Sequence, residues 1–109
     1  MYFEKIEVSD FIKARLASDR LLFTDIEINA ISKYGYVDTR YNTCPNNFAN
    51  THICLNPNAK SRLDLTTPVH IYKLEDEWYY IYNSSRMHAY KCDQFEGLIK
   101  CLDFLYDVL

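Results

Sequence analysis

The chain has 109 residues, 49% of them hydrophobic and 25% charged, with a formal net charge of −3. That length suits a single domain with one core and no need for staples, and the acidic balance argues against tight non-specific nucleic-acid binding, which needs a basic field. The longest uninterrupted apolar run, WYYIY at 78–82, is far too short to cross a bilayer. The opening MYFEKIEVSD carries acidic residues and lacks the long apolar core of a signal peptide, so an intracellular protein with free thiols is expected.

In chain order, Ser9 is placed to cap a helix over about Asp10 to Ala17, where Ile12 and Leu16 are four apart and share a face beside Phe11 and Ala14. In FTDIEINAISKYGY, Thr24 and Glu27 form a capping box, each side chain bonding the other's free backbone N–H. Phe23, just before the cap, can pack on Ile28 as a hydrophobic staple, and Gly35 is placed to end the helix in a left-handed turn after Tyr34. Strands are expected at 36–41, 51–56, 69–75, 77–83 and 87–92, the last three rich in β-branched and aromatic residues. The stretches NTCPNNFAN (42–50) and NPNAKSRLDLTTP (56–68) read as loops.

A last helix starts at Asp93, whose carboxylate can accept the first free N–H groups while Glu96 complements the helix dipole. Its apolar stripe is Phe95, Leu98, Ile99, Leu102, Leu105 and Leu109. Gly97 inside it costs about 1 kcal/mol relative to Ala, a cost that close approach to a neighbouring element would explain. The fold class is therefore α+β, an antiparallel β-meander of four to five strands packed by two N-terminal helices and one C-terminal helix, in one domain over residues 1–109.

A two-residue turn between Glu75 and Asp76 would set Tyr72 opposite Tyr79 and His70 opposite Ile81. A second turn through NSSR (83–86) would set Tyr79 opposite Tyr90 and Ile81 opposite His88. Alternation of faces then makes two cross-strand rows, Tyr72–Tyr79–Tyr90 and His70–Ile81–His88, with Leu74 and Cys92 nearby. The opposite face, with Val69, Ile71, Trp78, Tyr80, Tyr82, Met87 and Ala89, would lie under the helices, while Lys73 and Lys91 run their stems over Trp78. LEDEW contains no Gly or Asn to fix a primed turn, and a one-residue slip would exchange a strand's faces. The tyrosine row is then either a contact surface or ordinary core beneath helices.

The four cysteines, Cys44, Cys54, Cys92 and Cys101, include no CxxC pair. His70 and His88 share a row near Cys92, and His52 precedes Cys54 by two residues. Such groups suit zinc, but the spacing lacks a zinc signature, and no metal or other cofactor is expected. Cys92 with His70 or His88 is the one thiol–imidazole pair this arrangement brings close, as a nucleophilic enzyme would need. The cluster Glu75, Asp76 and Glu77 reads as a solvated hairpin tip.

The segment EDEWYYIY…YKCDQFEGLIKCL resembles the C-terminal part of small uncharacterised accessory proteins of large DNA viruses, over about residues 69 to 102. The resemblance implies an accessory protein acting inside an infected cell and carries no activity with it. The expected function is a non-enzymatic interaction module. It would bind a partner protein or a second copy of itself through Tyr72, Tyr79, Tyr90, His70, His88 and Ile81, without a membrane. The alternatives are single-stranded nucleic-acid binding by stacking on the same rings, with Lys73, Arg86 and Lys91 as a local positive patch, and a small thiol- or histidine-dependent hydrolase.

Overall fold

The computed structural model describes residues 2–17, 19–43, 51–61, 63, 67–75 and 77–106. Among these, six antiparallel strands form one sheet: β1 (Phe3–Ile6), β2 (Gly35–Asp38), β3 (Ile53–Pro57), β4 (Val69–Lys73), β5 (Trp78–Asn83) and β6 (His88–Asp93), in the order β1-β6-β5-β4-β3-β2. The helices are α1 (Val8–Ala17), α2 (Asp25–Ile31) and α3 (Gln94–Leu105). Strands β2 to β6 are the expected meander, and β1 is the addition. It pairs with β6, Phe3 opposite Cys92 and Ile6 opposite Ala89. Four residues with Glu4 and Lys5 at the centre give no long apolar alternation, and such short, charged strands belong at sheet edges.

The capping box forms as expected. The Thr24 side chain accepts from Glu27 N at 3.2 Å, and Glu27 Oε1 accepts from Thr24 N at 2.8 Å. Helix α2 then tightens into a 3-10 turn over Ser32–Tyr34. Gly35 ends the helical stretch after Tyr34 as expected, its N–H donating to Ser32 O, but in extended backbone that opens β2 and not in a left-handed turn, and it is required because a Cβ there would lie 2.0 Å from the Asn56 carbonyl oxygen. Gly97 has the same cause on α3: a Cβ would meet the Tyr2 carbonyl oxygen at 2.3 Å. Asp93 stands at the N-cap of α3, but its side chain makes no capping hydrogen bond. Expected Leu109 lies outside the described residues, whereas Leu98 and Leu102 are fully buried with Cys101.

The first hairpin decides the faces. Leu74 N donates to Trp78 O at 2.8 Å and Glu77 N to Leu74 O at 3.0 Å, with Glu77 left-handed at φ 62°. A left-handed residue closing a three-residue connection is the usual alternative to a two-residue turn. The extra residue moves the register by one, to His70 opposite Tyr82, Ile71 opposite Ile81, Tyr72 opposite Tyr80 and Lys73 opposite Tyr79. In the second hairpin Asn83 pairs with His88, and Asn83 Oδ1 accepts from Arg86 N at 3.2 Å and from Ser85 Oγ at 2.8 Å. That turn sits one residue further along, so the register moves by two and β6 keeps its faces relative to β5.

The sheet is consequently covered on both faces. On one, α2 and α3 bury Ile53, Leu55, Val69, Ile71, Tyr79, Ile81, Tyr90 and Cys92. On the other, α1 lays Phe11 over Tyr72, Tyr80 and Tyr82, with ring centroids 5.4, 6.0 and 4.9 Å away. Burying one such ring is worth about 1.5–3 kcal/mol, so a ten-residue helix with few other core contacts docks largely through Phe11. Among the described residues no helix is long and apolar enough to cross a membrane.

Candidate metal centre

Pairing across the sheet lines up Asp38, Cys54, His70, Tyr82, Ala89 and Ile6, one from each strand from β2 to β1. The Ile6 end of this row is apolar and packs with α1. Its other end, on β2, β3 and β4, extends beyond Phe11 and is where the polar side chains collect. His52 precedes β3 and lies two residues from Cys54, so the two share a face. Its backbone N–H donates to Tyr41 O at 3.3 Å, which ties the entry to β3 against the residues after β2.

Three donors converge there. One ligand atom each from His52, Cys54 and His70 lies within 4.8 Å of the others, and Cys54 Sγ is 3.4 Å from His70 Nδ1. In a tetrahedral zinc site with bonds of 2.0–2.3 Å, neighbouring ligand atoms stand about 3.5 Å apart. The Cys54–His70 edge already has that length, and the other two edges, each within 4.8 Å, would close by up to about 1.3 Å around an ion. The His52 ring is held between Tyr41, stacked at 5.0 Å and 6°, and Tyr72, stacked at 4.9 Å and 23°. His70 meets it edge-on at 5.3 Å. The tyrosines thus orient an imidazole, a role that matters at a ligand set because ring orientation aims the lone pair.

Burial, then the Asp38 charge, push the Cys54 thiol above its ordinary value, against a smaller opposing effect of Arg40. Burial, then His52 and Arg15, hold His70 below the usual histidine range. Asp38 is kept low by the hydrogen bonds of Arg40: Arg40 Nε donates to both carboxylate oxygens at 3.1 and 2.9 Å, and Nη2 to Oδ2 at 2.7 Å. A neutral imidazole is the form that ligates metal, whereas a neutral thiol must lose its proton to the incoming ion. The same shifts oppose a thiolate–imidazolium nucleophile, which needs the thiol lowered.

Beside Cys54 and His70 opens a cavity of about 550 Å³, otherwise walled chiefly by Tyr36, Asp38, Arg40 and Tyr41. Its size is that of a small-molecule site.

The residues singled out from sequence are distributed differently from the expected rows. Tyr72 is on the α1 face, and Tyr79 and Tyr90 are on the opposite face, where they pair with Cys92 and Ile81 respectively. All three rings are buried, at 6%, 4% and 9% exposure, so no reachable tyrosine row forms. The cause is the additional residue in the first hairpin. It also separates His70, beside Cys54, from Ile81, buried at the centre of the other face, and from His88, which lines a second cavity of about 410 Å³ with Arg86 and Tyr106. Cys92 contacts no histidine from that row; its partner is Cys101, and the hydrogen bond between them together with burial raises the Cys92 thiol.

The three basic residues do not make one patch. Lys91 places its ammonium over the Trp78 ring, 4.2 Å from the centroid, a cation–π contact where only the stem was expected. Lys73, on the other face, reaches Glu27 at 2.8 Å, and Arg86 sits in the second turn. Glu27 also accepts a hydrogen bond from the Tyr79 hydroxyl. Burial acts to raise the Glu27 carboxyl, but the bonds from Lys73, Thr24 and Tyr79 outweigh it and hold it low.

The sequence signal for the metal centre was half visible. His52-x-Cys54 is a two-residue spacing that puts both donors on one face of a strand, but their third partner, His70, depends on strand pairing and on the face that β4 presents. Compared with known proteins, the chain matches no family model, no curated protein and no solved structure.

Proposed function

We propose that the protein is a small metal-binding module that holds one zinc-class ion between His52, Cys54 and His70. The observation that carries this reading is the convergence of two imidazoles and a thiol within 4.8 Å on adjacent strands. Nitrogen and sulfur donors select zinc-class ions over magnesium or calcium, which take oxygen. The centre is partly buried, its His52 ring is oriented by packing, and it stands beside a cavity instead of in a closed core.

Neither alternative use of the same residues has comparable support. Stacking of single-stranded bases needs exposed rings and a shared basic field, and the tyrosines at 72, 79 and 90 are buried. Protein docking or self-association would have to use another surface; the most exposed apolar helix residues are Leu16 on α1 and Ile26 on α2.

Titration of zinc into the metal-free protein against a competing chelator tests the reading. The expected result is one ion per chain, with affinity lowered at least a hundredfold by Cys54→Ser or His70→Ala and unchanged by His88→Ala, which lies on the other face. Absence of stoichiometric binding, or equal effects of the two histidine variants, would contradict it. Circular dichroism of each variant separates loss of a ligand from loss of the fold.

A further inference from the structure

With three protein donors, a tetrahedral ion keeps one position for an external ligand. His52 is enclosed between Tyr41 and Tyr72, whereas Cys54 and His70 both line the cavity of about 550 Å³. An ion seated on the three donors therefore turns its remaining position toward that cavity.

Charge selects what enters. A divalent ion with one thiolate and two neutral imidazoles leaves a net charge of +1. Asp38 and Arg40 neutralise each other through their forked pair. A monoanion completes the balance, whereas a dianion exceeds it. The fork also orients Arg40. Its Nε and Nη2 face Asp38, so Nη1 is the part of the guanidinium outside that fork, and the Arg40 carbon lies 5.9 Å from the Tyr41 ring centroid. An oriented guanidinium is matched to planar carboxylates.

We propose that the fourth position binds the carboxylate of a small organic acid, one oxygen on the metal and the other accepting a hydrogen bond from Arg40 Nη1. The rings of Tyr36 and Tyr41, with Pro68, offer contact to the hydrocarbon part of such a ligand. This assignment rests on the metal-binding reading.

The test uses the cobalt-loaded protein, whose visible absorption reports the coordination sphere. Sodium benzoate is the probe, with acetate and inorganic phosphate for comparison. The expected result is a saturable change in the cobalt bands with benzoate, tighter than with acetate, and a far weaker response to phosphate. Arg40→Ala, read on the fully cobalt-loaded variant, should lower benzoate affinity at least tenfold. Arg40→Lys should recover only part of it, since a point charge lacks the fork. Arg40 is exposed, so both variants should keep the fold.

Cobalt bands that ignore benzoate, or benzoate binding unaffected by Arg40→Ala, would overturn the carboxylate assignment and leave the metal centre standing. Phosphate binding as tightly as benzoate, at an alkaline pH where phosphate is a dianion, would overturn the choice of a monoanion. Failure to take up cobalt at all would remove both readings together.

Discussion

Replacing Glu27 with Ala removes three interactions at once, each visible in the structure. The Thr24 backbone N–H loses its acceptor, which by the usual value of a cap costs about 1 kcal/mol. The Tyr79 hydroxyl loses a charged acceptor, worth about 1.5–3 kcal/mol. Lys73 keeps its ammonium in a site where its side chain is only 16% exposed, without the counter-charge, and breaking such a partly buried pair costs up to about 3 kcal/mol after allowing for its residual solvation. These contributions overlap, and a loss of about 3–5 kcal/mol is expected from Glu27→Ala. Urea unfolding of wild type, Glu27→Ala, Tyr79→Phe and the double variant should give a coupling energy of about 1.5 kcal/mol or more. Additivity within about 0.5 kcal/mol would refute the contact. The register would fall with it, because only the one-residue shift puts Lys73 and Tyr79 on the same face beneath α2.

The same carboxylate sets a pH dependence. Its folded value is depressed below the ordinary 4.5, so its stabilisation is fully present above about pH 4.5 and is lost as pH falls through the lower folded value. The difference in urea midpoint between wild type and Glu27→Gln should shrink across that interval, and a difference independent of pH would contradict the assignment.

Three further outcomes follow from packing. Gly97→Ala should destabilise by about 1–3 kcal/mol in urea, despite the better helix propensity of alanine, because its Cβ collides with the Tyr2 carbonyl; a more stable variant would contradict the approach of α3 to the N-terminal strand. Phe11→Ala should cost about 3–5 kcal/mol, since the ring is 1% exposed and anchors α1 on three tyrosines. Cys92 and Cys101 should resist a thiol reagent until the chain unfolds, being wholly buried; labelling of either in the native state would contradict their place in the core.

What could be read from the sequence was local. Thr24 and Glu27 are three residues apart and satisfy each other's backbone, so the capping box needs no tertiary information. The aromatic and β-branched strands 69–73, 78–83 and 88–93 likewise declare themselves. What could not be read depended on pairing. Glu75 and Glu77 carry no turn preference strong enough to choose between a two-residue and a three-residue connection, and that one residue transferred Tyr72 and His70 to the α1 face. Strand β1 was hidden because Glu4 and Lys5 break its apolar pattern. Asp93 has the right chemistry for a cap, yet Gln94 enters α3 in a left-handed conformation at φ 59° and the side chain makes no capping bond.

The metal centre shows the same division: His52 and Cys54 are neighbours in sequence, while His70 joins them only through the β3–β4 register, Cys54 opposite His70. X-ray absorption at the zinc edge of the reconstituted protein measures that ligand set directly. The account predicts one sulfur at about 2.3 Å and two imidazole nitrogens at about 2.0–2.1 Å, with one light atom in the remaining position, and loss of the sulfur shell in Cys54→Ser. A zinc ion without a sulfur neighbour, or one whose sulfur shell survives that substitution, would contradict it.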